Sequence, residues 1–81
     1  MQVRVKLFAI AAQRVGRDEI SIDVDSPANV ATLKEVLFHQ FPKLASLASY
    51  LLVAVNAEYA DDQTVIPPNS EVALIPPVSG G

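Results

Sequence analysis

The sequence ends in Gly80 and Gly81, and this pair carries the clearest potential for chemistry in the chain. A free carboxylate at Gly81 can be activated with ATP and then converted into an acyl donor or a thiocarboxylate. Because glycine has no Cβ, a stem of two glycines is slim enough to enter a narrow channel in another protein. A frayed terminus can also end in glycines, so the interpretation depends on the residues that precede the pair.

Elsewhere in the sequence, no set of residues has the types and spacing of a catalytic site. His39 is the only histidine, and a general base needs a nucleophile within reach, so we expect it at the surface. Asp61 and Asp62 are adjacent, but calcium takes about six to eight oxygen ligands, which favours a solvated loop. Gly16 stands alone, so the sequence has no glycine-rich phosphate loop. Ser79 lacks a basic partner and is interpreted as a spacer.

The composition is that of one small globular domain. The chain has 81 residues, of which 51% are hydrophobic and 19% charged, a balance typical of folded proteins. A net charge of −3 argues against binding to nucleic acids or anionic membranes, which select basic patches. The sequence has neither cysteine nor an apolar run of about 18 residues that would predict a membrane span. We therefore expect a cytoplasmic protein without disulfides or membrane segments.

The N-terminal third of the chain has the pattern of two strands. Val3, Val5 and Leu7 alternate with polar residues, as in a strand with one buried face. A second alternating segment follows Gly16, so the first two strands are predicted at residues 2–8 and 18–24. The residues between them are too many for a two-residue hairpin and favour a short helical turn.

The middle of the chain has the pattern of a helix. Asn29 is a suitable N-cap, and the following apolar residues form one stripe of a 3.6-residue period. The members of this stripe are Val30, Leu33, Val36, Leu37 and Phe41. Pro42 disfavours helical backbone at the residue before it, so a helix is predicted at about 30–41. A second short helix is predicted within 43–50.

The C-terminal third predicts three more strands and a tail. Residues 51–56 form a dense apolar run, which predicts a central strand buried on both faces. A short extended segment around Tyr59 and a strand at 71–75 follow. Pro76 and Pro77 block further ladder hydrogen bonds. These features predict a domain at residues 1–76 and a flexible tail at 77–81.

The predicted order is strand, strand, helix, strand, short strand, strand. A single main helix can cover one face of a mixed sheet of about five strands, while the last strand directs the tail away from the domain. This α+β order is that of the ubiquitin-like β-grasp.

With that order and a Gly-Gly end, the chain resembles the ubiquitin-like sulfur carriers, and among them the small subunits of molybdopterin synthase. The resemblance covers the whole chain, and its most specific segments are 53–56 (Val-Ala-Val-Asn) and 71–81, which includes Pro-Pro-Val-Ser-Gly-Gly. Asn69 and Ser70 stand where this family usually has Gly-Asp. Asparagine tolerates positive φ, so we expect the turn to be preserved.

The resemblance implies a reaction cycle at Gly81. An adenylating enzyme consumes ATP and joins AMP to the Gly81 carboxylate, and a sulfur donor protein converts the acyl adenylate into a thiocarboxylate. The tail then enters the large subunit of molybdopterin synthase and delivers sulfur to cyclic pyranopterin monophosphate, which forms the molybdopterin dithiolene. The chain itself is expected to bind no cofactor or metal and to have no activity alone. A heterotetramer with two small and two large subunits is expected.

Strand parity and the resemblance together predict the partner surface. Leu7 and Leu74 are predicted to face the core, so Phe8 and Ile75 face outward. If the first and last strands are neighbours, Phe8, Ile75 and Tyr59 can form one exposed apolar patch, which usually marks a partner surface. Phe8 folding over the end of the sheet is the alternative. The rest of the predicted partner-binding segment is Pro76, Pro77, Val78 and Ser79.

Three other functions remain open at this stage. A sulfur carrier for thiazole formation in thiamine synthesis has the same fold and terminus, but such carriers are usually shorter and lack the Pro-Pro-Val-Ser segment. A protein modifier would be joined to lysines through Gly81. A plain binding module would have incidental terminal glycines.

Overall fold

The computed structural model of the chain describes residues 1–76. In this part, five strands form one sheet and three α-helices accompany it. The strands are Gln2–Leu7 (β1), Glu19–Asp23 (β2), Leu52–Val55 (β3), Glu58–Ala60 (β4) and Glu71–Ile75 (β5). The helices are Ala9–Val15 (α1), Val30–Gln40 (α2) and Pro42–Ala45 (α3), with a 3₁₀ turn at Ala48–Tyr50.

The sheet is mixed and has the strand order β2-β1-β5-β3-β4. The first and last strands, β1 and β5, are parallel neighbours, with Leu7 aligned with Leu74. The other pairs of adjacent strands are antiparallel. Together with α2 across one face, this arrangement is a ubiquitin-like β-grasp, which confirms the predicted fold class.

The core lies between the inner face of the sheet and α2. Val5 and Val72, from adjacent strands, are fully buried there, and Leu33 and Leu37 of α2 pack in the same cluster. The burial of each such side chain stabilises the fold by about 1.5–3 kcal/mol. The predicted parity of β1 and β5 is therefore correct.

Helix α2 begins where the sequence predicts. The Asn29 side chain accepts a hydrogen bond from the Thr32 backbone N–H at 2.9 Å and so caps the first turn. The helix ends at Gln40, and Pro42 then occupies the first turn of α3, where a missing N–H does no harm. Proline thus ends one helix and starts another.

The segment after α3 differs from the predicted second helix at 43–50. Leu44, Leu47 and Tyr50 are instead linked by successive i→i+3 backbone hydrogen bonds, the bonding of a 3₁₀ turn. Leu44 is buried, whereas Tyr50 is 62% exposed. The three-residue spacing therefore reflects tight turns and not one amphipathic helix.

Strand β3 also differs from its prediction. Val53 and Val55 face the core, but Leu52 is 49% exposed, so the strand is not buried along both faces. The outer face of the sheet is open, as the exposed side chains of Arg4 and Ser21 indicate. Ala54, on the same outer face, is buried, so Leu52 alone departs from the predicted burial of β3.

Two turns at one end of the sheet use positive φ angles. Asn56 and Ala57 have φ of 51° and 71°, the pattern of a type I′ hairpin turn between β3 and β4. Asn69 has φ of 63°, so asparagine preserves the turn before β5, as predicted. Within residues 1–76, no helix is both long enough and apolar enough to span a bilayer.

Candidate functional site

The structure brings the three predicted contact residues together. Phe8, Tyr59 and Ile75 line one groove on the outer side of the sheet. The Phe8 side chain is 47% exposed and that of Tyr59 is 73% exposed, while Ile75 is half-buried. Phe8 thus presents about half of its surface to solvent beside Tyr59 and Ile75.

The backbone between β1 and α1 holds Phe8 at the groove. Phe8 itself is extended, with φ of −126° and ψ of 151°. The next residue, Ala9, has φ of 51°, so the chain changes direction sharply before α1. Leu7 stays in the core as Phe8 leaves the end of β1, and this places an aromatic ring beside β5.

Strand pairing places the other members of the groove. Ala54 of β3 lies between Ala73 of β5 and Tyr59 of β4, because it is aligned with both. Ile75 is the last residue of β5 and is aligned with Leu52. The groove therefore has small residues at its centre and large apolar residues around them.

The groove has a volume of about 290 Å³. Besides the three large side chains, its lining consists of Ala54, Ala57, Ala73 and Glu71. Glu71 is the one charged residue of that lining and forms an ion pair with Lys6, with 3.4 Å between Nζ and Oε1. Both side chains are substantially exposed, so this pair adds little to stability. The groove is thus apolar with a charged edge.

Sequence reasoning missed Leu52, which extends the apolar surface beyond Ile75. The dense apolar run at residues 51–56 gives no sign of this exposure, because such a run predicts burial on both faces. Parity contained the signal, since Val53 and Val55 point inward and their neighbours must point outward. Leu52 lies outside the lining of the groove and is a neighbour of its wall.

The residues of the predicted tail come directly after β5, whose last residue, Ile75, lines the groove. Pro76 is half-buried and comes after Ile75 at the end of β5. Gly80 and Gly81, and with them Pro77, Val78 and Ser79, lie outside the described residues. The described structure therefore gives the position from which the tail starts.

The other titratable candidates behave as the sequence predicts. His39 is exposed on α2. Asp62 pairs with Lys34 at 2.8 Å, and Asp61 accepts hydrogen bonds from the Gln63 backbone N–H and the Thr64 hydroxyl. In the part of the chain that the structure describes, no three His, Asp or Glu side chains converge as metal ligands.

Comparisons with known proteins agree with this description. The model of the ThiS family matches residues 5–81. The molybdopterin synthase sulfur carrier subunit of Dictyostelium discoideum is 39% identical over 83 residues, which cover 99% of this chain and 96% of that protein. The crystal structure of SAMP1 from Haloferax volcanii has a TM-score of 0.90 and 31% identity, with full coverage of both chains.

A third similar structure is a complex. The complex of subunits 1 and 2 of molybdopterin-converting factor from Helicobacter pylori contains a chain with a TM-score of 0.74 and 21% identity, covering 100% of both chains. At this identity the likeness establishes the fold. Because the family match spans nearly the whole sequence and the Dictyostelium relative is similar along its full length, the chain belongs to the ThiS family.

Proposed function

We propose that the protein is the sulfur-carrier small subunit of molybdopterin synthase. In this role Gly81 carries sulfur as a thiocarboxylate and delivers it to cyclic pyranopterin monophosphate, which forms the dithiolene of molybdopterin. The observation that carries the proposal is the 39% identity, along the whole chain, to a sulfur carrier subunit of that enzyme.

The chemistry at Gly81 needs activation by a partner. A carboxylate is a poor electrophile until one of its oxygens becomes a good leaving group. Adenylation with ATP provides that group: the carboxylate displaces pyrophosphate, and sulfur delivered at the level of hydrosulfide then displaces AMP, so that a C–S bond replaces the C–O bond to AMP. The resulting thiocarboxylate is nucleophilic without a neighbouring base. The chain thus supplies the reactive sulfur, and its partners supply the catalytic groups.

The large synthase subunit is the partner that we assign to the groove. Phe8, Tyr59 and Ile75 offer exposed apolar area at the start of the tail, and apolar and aromatic anchors dominate many interfaces. The Helicobacter pylori complex supports a two-subunit assembly. The heterotetramer, the adenylating enzyme, the sulfur donor protein and the cytoplasmic location stay predictions.

Intact-mass measurement tests the proposal directly. Co-expression with the adenylating enzyme and a sulfur donor should raise the mass by about 16 Da, since one oxygen is replaced by sulfur. Fragmentation should place the change on Gly81. A variant that carries one extra residue after Gly81 is the control and should stay unmodified. An unmodified wild-type carboxylate under the same conditions would contradict the proposal.

A modifier function is the second candidate, because small archaeal modifier protein 1 of Haloferax volcanii is 34% identical over 84 residues. Attachment to lysines would produce a series of higher-mass conjugates in cell extracts. Their absence, together with restored molybdoenzyme activity in a strain lacking its own carrier, would favour the synthase role. Restored growth without thiamine would instead indicate the thiazole pathway.

A further inference from the structure

Strand β2 forms one edge of the sheet, with β1 between it and β5. Its residues, Glu19–Asp23, keep a single antiparallel register with β1 and contain no bulge. The opposite edge strand, β4, is shorter and spans Glu58–Ala60. Because an edge strand presents unpaired N–H and C=O groups, it can accept a further strand. Strand β2 is therefore the longer free edge of the described sheet, and it lies away from the groove and the start of the tail.

The backbone hydrogen bonds at the two ends of β2 show which of its residues point toward the free edge. The Leu7 N–H donates to the Asp18 carbonyl at 2.9 Å, and the Val24 N–H donates to the Met1 carbonyl at 2.9 Å. Bonded and non-bonded residue pairs alternate along an antiparallel ladder, so the even-numbered residues of β2 bond to β1. The backbone N–H and C=O groups of the odd-numbered residues point away from it. These residues are Glu19, Ser21 and Asp23, and all three are exposed.

The free edge of β2 is strongly acidic. Residues 18–25 contain four exposed carboxylates and neither Lys nor Arg, and the acids are Asp18, Glu19, Asp23 and Asp25. Glu19 lies opposite Lys6, but the Lys6 ammonium pairs with Glu71. Asp23 lies 3.6 Å from the N-terminal ammonium of Met1 and is 78% exposed. Among residues 1–76, no Lys or Arg forms an ion pair with any of these four acids.

The positions of these carboxylates disfavour a second copy of this chain as the added strand. The antiparallel register that uses all three outward-pointing residues places Ser21 opposite Ser21 of the copy. It also places Glu19 opposite Asp23, and the two-fold symmetry of such a pair repeats this contact. Like charges directly opposite each other destabilise a strand pair, whereas opposite charges stabilise it. The edge therefore favours a strand that carries positive charge.

We propose that the free edge of β2 binds an extended basic segment of a partner protein as an additional antiparallel strand. Lys or Arg at every second position of the segment lies beside Glu19 and Asp23, on the same face of the sheet. Main-chain hydrogen bonds to residues 19, 21 and 23 supply the alignment, and the alternating charges supply the selectivity. This surface does not include the groove, so the inference goes beyond the proposed function and does not depend on it.

Titration of the full chain with a synthetic peptide tests the inference. The peptide has about seven residues of alternating Lys and Thr, enough to span β2, and NMR follows the backbone amides of the protein. The largest shifts should occur at residues 19–23, and exchange of the Ser21 amide hydrogen should slow. The same peptide with N-methylated lysines keeps its charge but cannot donate these hydrogen bonds, so it should bind at least about tenfold more weakly. A peptide of alternating Glu and Thr should not bind.

Variants of β2 test the backbone and the charge separately. Ser21→Pro removes the outward N–H but no donor to β1, so the Lys-Thr peptide should bind about fivefold more weakly. Ser21→Thr keeps the N–H and should bind within about twofold of wild type. Glu19→Lys should weaken binding about tenfold. Glu58→Lys is the matched control and should bind within about twofold, because β4 lies about 19 Å from β2, beyond a Debye length of about 8 Å.

The outcomes decide between strand addition and simple charge attraction. Equal binding of the Lys-Thr peptide and its N-methylated form would overturn the inference, as would equal losses for Glu19→Lys and Glu58→Lys. An absence of shifts at residues 19–23, or shifts centred on Phe8 and Tyr59, would also overturn it. Thermal unfolding verifies the fold of each variant, and the N-methylated peptide tests the same hydrogen bonds if Ser21→Pro fails to fold. These experiments require neither Gly81 chemistry nor the large subunit, so the mass measurement at Gly81 tests the proposed function independently.

Discussion

Asn56 and Glu71 are joined by two hydrogen bonds that tie the end of β3 to the start of β5. The Asn56 backbone N–H donates to the Glu71 carbonyl at 2.8 Å, and the Glu71 N–H donates to the Asn56 side-chain Oδ1 at 3.0 Å. The Asn56 amide also donates to the hydroxyl of buried Ser70 at 3.3 Å. The Asn56 side chain therefore helps to align β3 and β5, the two strands whose residues Ala54 and Ala73 lie at the centre of the groove.

Replacement of Asn56 should lower stability in two separable steps. Asn56→Gly removes the side-chain hydrogen bonds but tolerates the φ of 51°, so we expect a loss of about 1–2 kcal/mol. Asn56→Ala adds the strain of positive φ in a residue with a Cβ and should lose about 1 kcal/mol more. Urea unfolding measures both. Equal stability of the two variants would contradict the assigned backbone conformation.

Ala57 offers the opposite change, because its φ of 71° disfavours any residue with a Cβ. Ala57→Gly gives the Asn-Gly sequence preferred in type I′ turns and should stabilise the fold by about 1 kcal/mol. Ala31→Gly, within α2, is the control and should destabilise by up to about 1 kcal/mol. Thermal unfolding measures the change in stability of each variant. A lower melting temperature for Ala57→Gly than for wild type would count against the turn assignment.

The elements that the sequence predicts well are those set by local rules. The start of α2 follows from the Asn29 cap and a 3.6-residue period, both of which are contained within the helix. The inward direction of Leu7 and Leu74 follows from alternation within single strands. Local chemistry therefore predicts these elements and the outward direction of Ile75.

The features that the sequence does not predict depend on distant segments. Leu52 is exposed because the outer face of the sheet is open beside β5, a property of the assembled sheet. The floor of the groove depends on the register that pairs Ala54 with Ala73, which alternation within one strand cannot fix. Two alanines also give no signal in a sequence, since alanine is common in cores and surfaces alike.

Tyr59 should matter for partner binding and not for folding. Its side chain is 73% exposed at the groove, so Tyr59→Ala should change the free energy of unfolding by less than about 0.5 kcal/mol. Loss of an aromatic anchor should cost about 2 kcal/mol of binding to the large subunit, or roughly 30-fold in Kd. Tyr50→Ala is the matched control, because Tyr50 is 62% exposed outside the groove. Similar losses for both tyrosines would argue against a localised contact.

Deletion of Gly81 should separate chemistry from folding. Residues 1–76 already contain a buried core, so we expect the free energy of unfolding of the shortened chain to lie within about 0.5 kcal/mol of the wild-type value. Sulfur transfer should be abolished, because a new terminal carboxylate at Gly80 ends one residue, at most about 3.6 Å, short of the position that the partner's catalytic groups address. Single-turnover transfer from the thiocarboxylate measures this loss. Gly81→Ala keeps the length of the tail but adds a Cβ, so it tests whether the length or the narrow width of the tail limits the rate of transfer. Loss of folding on deletion, or transfer at the wild-type rate, would contradict the assignment of Gly81 as the reactive end of the carrier.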